Sequence, residues 1–88
     1  MLAVRLLLGP AAVKSLGRMQ RKMAESIMGR LEAVAARPFG QHANAKRLVG
    51  VNDGFRLRVG DWRALYRIDR ETDTVFVEDV VTRGEAYR

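Results

Sequence analysis

The chain has 88 residues, 48% of them apolar and 30% charged, a composition typical of one globular domain spanning residues 1–88. It has no cysteine, which excludes disulfides and thiolate metal sites, and its one histidine and scattered carboxylates predict no metal ion and no other cofactor. No apolar run is long enough to cross a bilayer, and no secretory signal is recognisable. The net charge of +6 favours a polyanionic partner, which could be a nucleic acid, an anionic membrane surface or an acidic protein, and the alternative is a soluble basic protein without such a partner.

The first half of the chain predicts one strand and two helices. Residues 2–8 are expected to form a strand, which Gly9 and Pro10 end while starting a short helix, since proline fits the first helical turn. A longer helix is predicted over residues 19–36, because its apolar residues recur every 3.6 positions, and Pro38 closes it. Three methionines on this stripe are expected to lie in the core: Met19, Met23 and Met28.

The second half predicts a loop followed by a β-meander. Residues 39–54 are rich in Gly, Asn and Ala and are expected to form a loop, in which the lone His42 is solvated. Gly60-Asp61 suits a type II′ hairpin turn, because glycine comes first. The order β-α-α-β-β-β predicts an α+β fold, with a helical hairpin packed on one face of a small antiparallel sheet. The three strands are predicted over residues 55–59, 62–69 and 74–81.

The two-residue turn fixes the register of the first hairpin. Val59 is then opposite Trp62, and alternation places six apolar side chains on one face, which is expected to cover the long helix. The members of this face are Phe55, Leu57, Val59, Trp62, Ala64 and Tyr66.

The opposite face of the same hairpin is cationic. Arg58 is predicted to lie directly across from Arg63, and Arg56 diagonally from Arg63 and Arg67. Opposed side chains stand about 5 Å apart at Cβ, where like charges destabilise each other. A cluster with no counter-charge from its own hairpin predicts an outward-facing anion site, and the planar fork of arginine suits phosphate. The alternative is a solvated basic face whose long side chains splay apart.

Two segments resemble the RelE/ParE toxins. Residues 54–69 resemble the central hairpin of that family, in which a Gly-(Asp/Asn)-aromatic-Arg-x-x-Tyr turn joins two strands after a helical hairpin. Residues 83–88 are similar to its closing Arg-x-x-x-Tyr motif. The resemblance covers nearly the whole chain. It implies the toxin of a type II toxin–antitoxin system, in a bacterial or archaeal cytoplasm.

For the RelE branch, the resemblance implies a metal-independent endoribonuclease, or mRNA interferase, that inhibits translation. It acts in the ribosomal A site, where a ribose 2′-OH attacks the adjacent phosphate and leaves a 2′,3′-cyclic phosphate and a 5′-OH. Arg63 would stabilise charge on the scissile phosphate, Arg83 would stabilise the transition state or assist the leaving group, and Tyr87 would be the general base. Arg56 and Arg58 match positions that are commonly lysine. Because arginine stays charged, their catalytic contribution is expected to be electrostatic.

The resemblance also implies partners and leaves alternatives. The partners would be the ribosome, mRNA and an acidic antitoxin whose C-terminal segment folds over the toxin in a hetero-oligomer. One alternative is a ParE-type poison of DNA gyrase with the same fold. The Arg83 and Tyr87 ending favours the RelE branch over this alternative. The other is a non-catalytic nucleic-acid-binding module. The residues expected to bind RNA are Arg56, Arg58, Arg67, Lys46 and Arg47.

Overall fold

The computed structural model of the protein describes residues 5–82 and residue 84. One sheet and two helices confirm the predicted α+β class, and the strand order across the sheet is β1-β5-β4-β3-β2. The elements are β1 (Arg5–Leu8), α1 (Pro10–Arg18), α2 (Arg21–Ala36), β2 (Ala45–Arg47), β3 (Gly54–Val59), β4 (Trp62–Asp69) and β5 (Thr74–Thr82).

The sheet differs from the predicted antiparallel sheet in two respects. β1 pairs with β5 in parallel, so the sheet is mixed, and the predicted loop over 39–54 contains β2, which pairs with β3. The apolar pattern of β1 carries no information on direction, which depends on the strand that it meets across the fold. β2 has only three residues and lacks the apolar alternation by which a strand is recognised.

The two helices of the hairpin are separated by a break whose position was not predicted from the sequence. Gly9 is extended, Pro10 occupies the first turn of α1, and this start is as expected. α2 begins at Arg21 and not at residue 19, because Met19 and Gln20 have extended backbone angles and separate the two helices.

The β3–β4 hairpin has the predicted register throughout. Val59 lies opposite Trp62 and Arg58 opposite Arg63. Gly60 has a φ of +60°, the left-handed value that the first position of a type II′ turn requires and that glycine adopts without strain. Each side chain of the hairpin therefore lies on the predicted face of the sheet.

The core lies between α2 and one face of the sheet. The apolar face of the hairpin contributes to it as predicted, and the three methionines pack against it partly buried. Burying an aliphatic side chain of this size contributes about 1.5–3 kcal/mol to stability. The largest fully buried side chains are Ile27, Leu31, Val34, Leu57, Val75, Val77 and Val80.

Within residues 5–82, neither helix has the length and apolar character needed to cross a membrane.

Candidate functional site

Strand alternation collects five cations on the side of the sheet opposite α2. Lys46 of β2 lies across from Arg56 of β3, and Arg58 lies across from Arg63 of β4. The sequence predicted the arginines of this set from the hairpin register, and β2 adds a lysine from a third strand. We call this set the arginine face, and its members are Lys46, Arg56, Arg58, Arg63 and Arg67.

The arginine face does not present all its cations equally. Arg58 is exposed and Arg56 is half-buried, but Arg63 is only 5% exposed. Nη1 of Arg63 donates to the carbonyl oxygens of Gly60 and Trp62, at 3.2 and 3.1 Å. These bonds hold the side chain against the turn. The expectation that Arg63 faces outward into solvent was therefore wrong, although its strand position and face were predicted correctly.

A carboxylate from β5 reaches the arginine face at its edge. β5 has an irregularity where Tyr66 faces Val77 and Leu65 faces Asp79, so Glu78 has no cross-strand partner. Oε1 of Glu78 accepts a hydrogen bond from Nε of Arg67 at 2.7 Å. Both side chains are about half exposed, so the ion pair stabilises the fold by at most about 1 kcal/mol.

An aromatic ring also holds Arg67. Its guanidinium lies 5.2 Å from the centroid of Phe76, directly opposite on β5. Sequence reasoning found neither Phe76 nor Glu78, because the four-residue turn between β4 and β5 leaves their register open. Alternation along β5 was the available signal, since it puts positions 76 and 78 on one face.

Arg47 lies apart from the other predicted RNA-binding residues. It pairs with Phe55, whose ring stacks on the core residue Tyr66 at 5.2 Å, and this places Arg47 on the helix side of the sheet. Its guanidinium lies 4.9 Å from the centroid of Phe55. Lys46 and Arg47 are consecutive, so alternation in β2 sends them to opposite faces.

One carboxylate on the helix side serves two arginines. Asp53 accepts hydrogen bonds from Nε and Nη2 of Arg70 at 2.8 and 3.2 Å, whereas Arg47 reaches Asp53 only at 3.7 Å. Arg70 also lies 4.1 Å from the centroid of the half-exposed Phe39 ring. The hydrogen bond from Arg70 holds the pKa of the Asp53 carboxyl below its usual value, and the same bond raises the pKa of Arg70.

A groove of about 670 Å³ opens beside Arg47, between the segment after α2 and strands β2 and β3. Nε2 of His42 lies 2.7 Å from the carbonyl oxygen of Arg37, and since a carbonyl oxygen only accepts, Nε2 is the donor. Burial raises the pKa of Tyr66 to about 12. We call this feature the groove, and its principal lining residues are Phe39, Gly40, His42, Arg47, Phe55 and Tyr66.

Two of the predicted catalytic residues, Arg83 and Tyr87, lie outside the described residues. Between residues 5 and 82, no group of three His, Asp or Glu side chains is arranged to hold a metal ion. The described part of the arginine face consists of four guanidinium groups and the ammonium group of Lys46.

Solved toxin structures share this fold. The isolated E. coli RelE toxin is 26% identical with a TM-score of 0.79, covering 97% of this chain and 92% of that one. RelE in an archaeal RelE–RelB complex from Pyrococcus horikoshii OT3 is 19% identical with a TM-score of 0.80, covering 94% and 98%. A YoeB/ParE toxin from Agrobacterium tumefaciens is 17% identical with a TM-score of 0.76, covering 90% and 98%. No match was found among curated proteins.

The fold and its cationic sheet face thus define a RelE/ParE-type toxin domain. The sequence pattern of the ParE toxins of type II toxin–antitoxin systems (parDE) matches residues 6–87. The chain belongs to this family.

Proposed function

We propose that the protein is a ribosome-dependent endoribonuclease of the RelE type, which cleaves mRNA in the ribosomal A site. The observation that supports this most is the arginine face, where Arg58 stands across from Arg63 with Arg56 beside them. Attack of a ribose 2′-OH on the adjacent phosphate builds extra negative charge on the phosphate oxygens. Cations held in place before the reaction stabilise that charge, and such electrostatic stabilisation is usually the largest single contribution to catalysis.

The exposures suggest different tasks for the arginines. Arg58 is exposed and can contact a phosphate directly. Arg63 is nearly buried and held by the turn carbonyls, so it acts as a fixed charge beneath the phosphate. Arg67 is engaged by Glu78, and we assign it to binding of RNA and not to the reaction. Lys46 extends the binding surface across the next strand.

The proton transfers are assigned to the two residues of the closing motif. Tyr87, as a phenolate, accepts the proton of the 2′-OH, whose oxygen then forms a bond to phosphorus. The bond from phosphorus to the 5′-oxygen breaks, Arg83 stabilises the charge on that oxygen, and a proton from solvent completes the 5′-OH. A tyrosine has an ordinary pKa near 10, so this role needs neighbouring cations that lower it.

The two tyrosines of the chain allow this requirement to be measured. Because the pKa of Tyr66 is about 12, phenolate absorbance that appears below pH 10 reports Tyr87. We expect that absorbance to rise at lower pH than in an unfolded control and to return toward pH 10 in Arg58→Ala. The variant Tyr66→Phe supplies the spectrum of Tyr87 alone. A midpoint that stays near pH 10 in both proteins would remove Tyr87 as the base.

An acidic antitoxin is the proposed partner. The net charge of +6 favours association with an acidic protein, and RelE proteins of the same fold have been solved in complex with RelB. We expect the protein to co-purify with a small acidic protein encoded beside it. Recovery of the protein alone from its native host would contradict this.

A second candidate, poisoning of DNA gyrase without nuclease activity, is favoured by the match to the ParE family. Primer extension on mRNA after brief induction separates the two. If the protein is a RelE-type nuclease, primer extension should show new 5′ ends in phase with the reading frame, and translation should stop in a cell-free system. If the protein is a gyrase poison, the mRNA should stay intact and DNA should be cleaved in a gyrase assay. A non-catalytic nucleic-acid-binding module would keep its effect in Tyr87→Phe.

A further inference from the structure

The groove has a composition suited to an anion that carries a flat ring. Its lining joins a guanidinium (Arg47), an imidazole (His42) and aromatic side chains, and no carboxylate is among the lining residues that the structure describes. Its volume of about 670 Å³ falls within the roughly 300–1,000 Å³ of typical small-ligand sites. The groove lies on the helix side of the sheet, so it is separate from the arginine face.

Arg47 retains capacity for an anion. Asp53, its nearest carboxylate, takes two shorter hydrogen bonds from Arg70 and lies 3.7 Å from Arg47, beyond ordinary hydrogen-bond length. The side chain of Arg47 is 63% exposed, and its guanidinium lies 4.9 Å from the centroid of the Phe55 ring. A guanidinium has five donors in a fixed plane, which suits two oxygens of one phosphate.

The remaining lining residues offer surfaces for a base. One face of Phe39 is covered by Arg70, and its ring is 48% exposed. Unstacked RNA bases are held on aromatic rings and on guanidinium planes. Since Nε2 of His42 donates to the carbonyl of Arg37, Nδ1 is the ring nitrogen that remains for a ligand.

Strand β2 connects the groove to the arginine face. Lys46 projects beside Arg56 on the arginine face, and the next residue, Arg47, projects into the groove. β2 is the edge strand of the sheet, so a single strand of RNA passing around this edge meets both surfaces at neighbouring nucleotides. An acidic peptide would satisfy Arg47 equally but would have no comparable use for the aromatic surfaces.

We propose that the groove binds one nucleotide of single-stranded RNA, with its phosphate on Arg47 and its base against the aromatic lining. The proposal rests on the RNA-directed function proposed above. It adds a contact outside the reacting phosphate that would hold the RNA strand independently of cleavage.

The first experiment adds adenosine 5′-monophosphate to the Arg63→Ala variant, which is expected to be catalytically disabled, and measures amide chemical shifts by NMR. We expect shifts at Gly40, His42 and Arg47, and smaller shifts with inorganic phosphate alone. Shifts confined to the arginine face, or groove shifts with an acidic peptide but none with the nucleotide, would overturn the proposal. Because the NMR shifts do not depend on cleavage, nucleotide binding in the groove can be confirmed even if the protein is not a nuclease. It can equally be refuted even if the protein is a nuclease.

The second measurement is the affinity for a labelled hexaadenylate RNA at several salt concentrations. Arg47→Ala is expected to weaken binding at least about tenfold, as loss of charged hydrogen bonds does, and to reduce the slope of log affinity against log salt by about 0.7. Arg21→Ala is the matched control, because it removes the same charge from an exposed ion pair on α2. Equal losses in the two variants, or an unchanged salt slope in Arg47→Ala, would also overturn the proposal.

Discussion

The two faces of the sheet use arginine in different ways. On the arginine face, Arg58 and Arg63 stand opposite one another, and Glu78 of β5 supplies a carboxylate to Arg67. On the helix side, Arg47 and Arg70 share Asp53 and lie over phenylalanine rings. The availability of these cations therefore depends on the neighbouring acceptors, which are carboxylates for Arg47, Arg67 and Arg70 and turn carbonyl oxygens for Arg63.

The largest expected effect concerns the central pair of the arginine face. Arg63→Ala should reduce mRNA cleavage by roughly 100- to 1,000-fold, since it removes a charge fixed before the reaction. Because Arg63 is buried, Arg58→Ala is the second variant, with an exposed side chain whose loss the fold tolerates. The measurement is primer extension, with the fluorescence of the only tryptophan, Trp62, as the test of folding. Full cleavage by both folded variants would separate this face from the reaction.

Substitutions on the helix side of the sheet should lower the stability of the protein, whereas substitutions on the arginine face should lower its activity. Leu57→Ala should lower the free energy of unfolding by about 2–5 kcal/mol, since the fully buried side chain leaves a cavity in the core. Leu65→Ala makes the same change on the arginine face, where the side chain is only partly buried, and should cost less. Urea titration followed by Trp62 fluorescence compares them. Equal losses would mean that the two faces share the core.

The Glu78 carboxylate should limit RNA affinity. Glu78→Gln removes its charge beside Arg67 and should strengthen binding of the hexaadenylate RNA about two- to fivefold, the range expected for an exposed ion pair. Glu71→Gln removes the same charge from the exposed β4–β5 turn and is the control. Weaker binding by Glu78→Gln would instead show that Glu78 holds Arg67 in its binding position.

The smallest effect is a pH dependence on the helix side. The folded-state pKa of Asp53 lies below its ordinary value of 3.8, so its contribution to stability is complete above pH about 4 and is lost as the pH falls through the lowered pKa. Asp53→Asn should remove this part of the acid unfolding curve. Asparagine tolerates the φ of +53° at this position, which keeps the backbone unchanged. An acid limb identical to that of the unsubstituted protein would contradict the prediction.

Local pattern determined what was predictable from the sequence. The hairpin faces followed from a two-residue turn and strict alternation, both of which operate within 16 residues of chain. The exposure of Arg63 was not predictable, because it depends on carbonyl groups that become acceptors only after the turn has formed. β2 is too short to show an alternating pattern, the β1–β5 pairing joins segments far apart in sequence, and the register of Glu78 is left open by the four-residue turn before β5.

The parallel pairing of β1 with β5 joins Arg5 to Thr74, near opposite ends of the chain. Closing so long a loop is slow and entropically costly, so the sheet is completed late. During synthesis the ribosome holds a chain without Val75, Val77 and Val80, and the core cannot assemble until they emerge. The sheet that carries the arginine face is therefore completed only after β5, the strand between β1 and β4, has emerged.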